Sequence, residues 1–142
     1  MTDKIARTRA ALSGVPLFEG LSKRHLSQLA ASADSASFSG GEAIVRQGGS
    51  GEILFVLIEG EAKVVRDGRI VARLLPGDSF GEVSVVDGGP RSASVFAETP
   101  VQAITVLRKT VEALIRREPA VTLKLLEVLA RRIRQIERPL NA

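Results

Sequence analysis

The sequence predicts an α+β fold, an antiparallel β-sandwich or β-roll with helices at both ends. Three observations predict it. From about residue 36 to residue 107, short β-rich runs alternate with glycine-containing breaks, the spacing expected of an antiparallel all-β unit. On either side, residues 2–33 and 108–139 carry apolar residues three and four apart, the helical period. The chain has 142 residues, 44% of them apolar, which suits one domain spanning 1–142 with a substantial core.

The elements follow in order. Ile5, Ala6, Arg9 and Leu12 mark a helix over 2–13, with Gly14 just past its end, and VPLFEGL breaks it. Ser22 is an N-cap candidate for KRHLSQLAASA, whose Leu26, Leu29, Ala30 and Ala33 share a face. AIVRQ, EILFVLIE, AKVVR and RIVARLL read as strands, punctuated by GG, GGSG, EG, DG and PGD. Asp67-Gly68, between two alternating runs, is a strong hairpin signal. ASVFAE and VQAITVL add two strands around Thr99-Pro100. The remainder is helical, with Pro119 placed to begin a second helix and Pro139 to end it. On that last helix Leu126, Leu129, Ile133, Ile136 and Leu140 form a narrow seam, suited either to lying over another surface or to pairing with a copy of itself.

Composition removes several classes of function. Without cysteine there are no disulfides and no thiolate-held metals, and the single His25 cannot build a zinc site alone. No apolar run reaches the roughly 18 residues of a membrane span, and MTDKIARTRAALSG lacks a signal peptide's apolar centre, so a cytoplasmic location is expected. No Ser/His/Asp set, metal cluster or nucleophilic cysteine is present, so no catalysis and no cofactor are expected. Charge is uneven: residues 1–107 carry a net charge of −1 and residues 108–142 a net charge of +5. A basic helix face accounts for that excess more readily than an acidic partner does.

Residues 80–94, FGEVSVVDGGPRSAS, fit neither a plain strand nor a plain helix. Asp78 and Ser79 are placed to cap a short helix beginning near Phe80, with Phe80, Val83 and Val86 as its apolar side. A helix N-terminus presents free N–H groups and a positive dipole end to a phosphate. Gly81 lets a ligand come close to the backbone. Gly88-Gly89 turns the chain, Pro90 restricts the next step, and Arg91 brings a planar fork that matches two phosphate oxygens. Glu82 would repel a phosphate unless the ligand also offered hydroxyls. A phosphorylated sugar satisfies both charges, and nucleotides are the commonest such ligands.

The stretch closely resembles the phosphate-binding cassette of cyclic nucleotide-binding domains: Phe-Gly-Glu, a short apolar helix, a turn, then Pro-Arg-Ser/Ala-Ala. VPLFEGLS at 15–22 is similar to that family's helical lead-in, and residues 41–64 to its first strands. The resemblance implies an antiparallel, jelly-roll-like β-roll over 35–107, N-terminal helices over 1–34, and hinge and lid helices over 108–139. It further implies that Arg91 pairs with the cyclic phosphate and Glu82 accepts from the ribose 2′-hydroxyl. Gly81 would permit close approach, Ser92 and Ala93 would complete the phosphate cradle, and Val83 and Ser84 would line it. Bacterial transcriptional members read adenine with a Thr-Ser pair, at positions where this chain has Ile136 and Glu137. Ion-channel members cap the purine with an arginine and aliphatic side chains of the last helix, a role open here to Arg131, Arg132 or Arg134 with Ile133 or Ile136. The expectation is a non-catalytic sensor of cyclic AMP, preferred over cyclic GMP, that switches the position of its C-terminal helices. A protein partner or a second copy would read the change through the C-terminal helix; DNA reading is not expected. The alternatives are the excised regulatory domain of a channel or transcription regulator, or a scaffold that keeps the fold and binds no nucleotide. The high Ala, Arg, Gly and Val content fits a bacterial source.

Overall fold

The computed structural model describes residues 2–137, with the side chains of residues 2, 3, 83, 132 and 135–137 outside the description. The chain opens with α1 (Thr2–Ser13), a 3-10 turn (Pro16–Phe18) and α2 (Lys23–Ser32). Ser22 caps α2 as expected, its Oγ accepting from the His25 amide at 3.1 Å. The strands are β1 (Asp34–Phe38), β2 (Ala43–Val45), β3 (Ile53–Glu59), β4 (Ala62–Arg66), β5 (Arg69–Leu74), β6 (Ser79–Phe80), β7 (Ser94–Ala97) and β8 (Val101–Leu107). A short helix, α3 (Glu82–Asp87), interrupts them, and α4 (Arg108–Arg117) and α5 (Pro119–Glu137) follow.

Two four-stranded antiparallel sheets form the roll, in the orders β1-β8-β3-β6 and β2-β7-β4-β5. β3 explains why EILFVLIE reads as a continuous apolar run. Its side chains alternate between two cores. Leu54 and Val56 face the helical layer, packed with Leu12, Leu17, Leu29 and Val111, whereas Phe55 and Leu57 face the roll interior with Ala62, Val95 and Ala103. A strand covered on both faces has no polar side to show.

Four details differ from expectation. β1 is a strand that its Asp and Ser content obscured; it pairs along its whole length with β8, from Asp34 opposite Thr105 to Phe38 opposite Val101. Phe80 lies in β6 rather than in a helix, opposite Phe55, on whose ring it stacks at 4.8 Å. The short helix therefore starts at Glu82, after Gly81 in the left-handed region (φ +88°). Asp78 does not cap it, because its carboxylate accepts from the Leu75 amide and closes the preceding turn. On α5 the inward stripe is Val121, Leu125 and Val128, while Leu126 and Ile133 of the expected seam are more than half exposed. Ile136, Pro139 and Leu140 lie outside the described side chains.

The Asp67-Gly68 turn joins β4 and β5 as expected, with φ values of +52° and +78° that suit a two-residue hairpin. No helix among the described residues is long and apolar enough to cross a membrane.

Candidate functional site

A cavity of about 260 Å³ opens on the inner side of the second sheet, beside α3. Val45, Val64, Leu74 and Val95 make its apolar wall. Ser79, Gly81, Glu82, Ser84, Arg91 and Ser92 supply most of its polar lining, with Arg66 and Ala93 completing that side. Of the seven ligand-binding residues expected in 80–94, six therefore converge here: Gly81, Glu82, Ser84, Arg91, Ser92 and Ala93. The side chain of Val83 lies outside the described residues.

Arg91 is the electrostatic centre. Only 6% of it is exposed, and two of its nitrogens are committed to backbone carbonyls. Nε donates to Ser50 O at 3.2 Å and Nη2 to Ile53 O at 2.5 Å. Its backbone is held by the same glycine-rich segment, the amide donating to Gly49 O at 3.0 Å and the carbonyl accepting from the Gly48 amide at 2.8 Å. The guanidinium lies 5.9 Å from the centre of the Phe55 ring, within cation–π range. Nη1 is buried with no hydrogen-bond partner. Burial pushes the Arg91 pKa below its ordinary value, with the Glu52 charge acting in the opposite direction. Arginine nonetheless keeps its proton at neutral pH. The result is a positioned cation with one unsatisfied donor group, a costly arrangement unless an anion answers it.

Gly81 makes room for that group. A Cβ built on it would lie 2.1 Å from Arg91 Nη1 and 2.8 Å from Ile53 O. Glycine is needed here twice over, for its positive φ and for the arginine that crosses it. Glu82, the first residue of α3, is 7% exposed, and one carboxylate oxygen accepts from Ser79 Oγ at 2.5 Å. Ser84 is buried, its Oγ donating weakly to Pro90 O at 3.4 Å. It packs on Gly51, where an added Cβ would approach Ser84 Cβ to 2.2 Å. Ser92 is exposed at the rim, and its carbonyl accepts from Arg66 Nε at 3.3 Å.

No residue of α5 lines this cavity among the described residues. Arg131 instead pairs with Glu19, beyond the 3-10 turn, at 3.2 Å, while Arg134 and Ile133 face solvent. The side chains of Arg132 and Ile136 lie outside the described residues. Sequence reading gave Ser79 only a capping role, where the structure has it in β6 donating to Glu82, and passed over Arg66 and the 48–53 backbone that grips Arg91. The GGSG segment reads only as punctuation, because carbonyl groups leave no trace in residue identity. α4 meets the cassette through Arg108, whose guanidinium packs over Gly88 at the end of α3 and pairs with Glu112 at 3.4 Å.

The family model for the cyclic nucleotide-binding domain matches residues 36–118, more than half of the chain. A CRP-like cAMP-activated global transcriptional regulator of Mycobacterium tuberculosis is 32% identical over 129 residues, covering 87% of this chain and 58% of the relative. The cyclic AMP receptor protein of Thermus thermophilus is 33% identical over 135 residues, covering 92% of this chain and 62% of the relative. The chain thus spans about three fifths of the length of these two curated relatives. Among solved structures, the N-terminal domain of a transcriptional regulator from Streptomyces coelicolor superposes with a TM-score of 0.75 at 31% identity, covering 87% of this chain and 91% of that one.

Proposed function

Because the chain belongs to the cyclic nucleotide-binding domain family, we propose that it is a non-catalytic cyclic nucleotide sensor whose ligand occupies the cavity beside α3. The observation that carries the reading is Arg91 Nη1, a buried cationic donor without a partner, beside a glycine and in a cavity that a buried carboxylate also lines. The cyclic phosphate would take up Nη1 and the amides of Ser92 and Ala93. The ribose 2′-hydroxyl would donate to Glu82, which separates the one anion of the site from the phosphate by a hydroxyl group. Gly81 would let the sugar approach the backbone. Ser84 would act mainly as a spacer against Gly51, supporting the wall. The names of both curated relatives point to cyclic AMP as the preferred nucleotide.

The response we propose is a population shift. Phosphate at Arg91 would tighten α3, whose far end touches Arg108 of α4, and α4 leads into α5. A nucleotide that binds one arrangement of these helices better than another moves the equilibrium toward it. The α5 arginines and Ile133 would then be candidates to approach the base in a second arrangement. The exposed Leu123, Leu126 and Ile133 form the surface by which a second copy or a protein partner would read α5.

The test is calorimetric titration with cyclic AMP and cyclic GMP, alongside Arg91→Ala. The chain has no Trp and no Tyr, so intrinsic fluorescence is a poor probe. Binding to the native chain is expected, tighter for cyclic AMP. The variant should lose about 100-fold or more, the scale of two charge-assisted hydrogen bonds. A folded native chain that gives no heat with either nucleotide would return the fold to the scaffold reading.

A further inference from the structure

Arg66 is the second cation of the cavity, and the residues around it hold it in place. It ends β4, immediately before Asp67, which at φ +52° is the one non-glycine residue with positive φ among those described. That backbone is fixed by a reciprocal pair of bonds. Gln47 Nε2 donates to Asp67 Oδ1 at 2.9 Å, and the Asp67 amide donates to Gln47 Oε1 at 3.0 Å. The Gln47 amide in turn donates to Ser94 Oγ at 2.8 Å, tying the hairpin tip to β7. The Asp67 carboxylate is thereby engaged with Gln47. Arg66 Nε donates to Ser92 O, one residue beyond the cassette arginine, and Arg66 has no other hydrogen bond or ion pair among the described residues.

Both terminal nitrogens of an exposed, tethered guanidinium are therefore available at a cavity that Val45, Val64 and Leu74 line with apolar surface. The inner cation, Arg91, answers a phosphate. A planar cation at the rim matches a flat aromatic face, because guanidinium groups stack on rings as well as pair with anions. The arrangement points to Arg66 as the residue that covers the purine base, a role that rests on the nucleotide reading of this site and is filled from the β4–β5 hairpin while α5 is docked at Glu19.

The test uses the full chain and two ligands. Cyclic AMP carries the base; 1-O-methylribose 3′,5′-cyclic phosphate keeps the sugar and phosphate without it. Arg66→Ala, and Arg66→Gln, which preserves a donor toward the Ser92 carbonyl, are compared with the native chain by calorimetry, with thermal melts to establish that each is folded. The expected result is a loss of about tenfold for cyclic AMP in both variants, with affinity for the base-free ligand unchanged. Equal losses for the two ligands would place Arg66 on the sugar-phosphate and overturn the assignment. So would native-like cyclic AMP affinity in both variants. A native chain that binds neither ligand would remove the nucleotide reading itself, a separate outcome from losing Arg66 alone.

Discussion

At the scale of single residues, the site depends on what surrounds an arginine as much as on the arginine. Nε and Nη2 of Arg91 are spent on Ser50 and Ile53 carbonyls, which aim the remaining nitrogen past Gly81. Gly81→Ala places a methyl group against that nitrogen and forces a left-handed backbone on an L-residue, which costs about 1–2 kcal/mol before any clash is counted. The variant is expected to lower the denaturation midpoint and to weaken nucleotide binding together. Unchanged binding with lowered stability would show that Arg91 can be re-aimed. Glu82 and Arg91 were legible in the sequence because both lie within one short motif. The carbonyls that hold Arg91 were not. They lie 41 and 38 residues away along the chain, and every residue type carries a carbonyl.

At the scale of elements, α5 separates period from direction. Its apolar residues recur at helical spacing on more than one side, so the sequence supports two stripes, and packing decides between them. Val121, Leu125 and Val128 turn inward, and Leu126 stands out at 59% exposed. Leu125→Ala should cost about 2–5 kcal/mol, as buried leucine truncations do. Leu126→Ala, in a surface position, should stay within about 0.5 kcal/mol at concentrations where the chain is monomeric. Urea denaturation of the two variants side by side decides the matter, and equal costs would mean that the exposed stripe is covered in solution. β1 and β6 were missed for a related reason. DSASF has too few apolar residues to announce a strand, and Ser79–Phe80 is too short; each exists because β8 or β3 offers an edge to pair with.

For the whole molecule, the helical layer is bound to itself at points remote from the cavity. Arg131 reaches Glu19, and Arg24 and His25 both approach Glu118 at the junction of α4 and α5, at 3.4 and 3.5 Å. Arg131 and Glu19 are both exposed, and an exposed pair of this kind contributes little, so the arrangement of α5 is open to a modest bias. A nucleotide at one hundred times its Kd stabilises the folded chain by about 2.7 kcal/mol. Hydrogen exchange should register this in β3 and β8 as increased protection. Amides of α4 and α5 should change by a different factor if the helices move, and by the same factor if they do not. Parallel behaviour across roll and helices would refute the switch while leaving the sensor intact.

The sequence by itself determined the order of the helices and of six of the eight strands, the hairpin at Asp67-Gly68 and the N-cap at Ser22, and its resemblance to a known cassette grouped Gly81, Glu82, Arg91, Ser92 and Ala93 in one motif. These are local properties, written in periodicity, turn chemistry and short spacing. Tertiary structure alone decided which carbonyls hold Arg91, that Arg66 stands at the same cavity, that α5 presents Leu126 and Ile133 to solvent, and that Arg131 lies at Glu19. Each of those joins segments far apart in the chain, and their meeting depends on how two sheets and a helical layer close around a shared core.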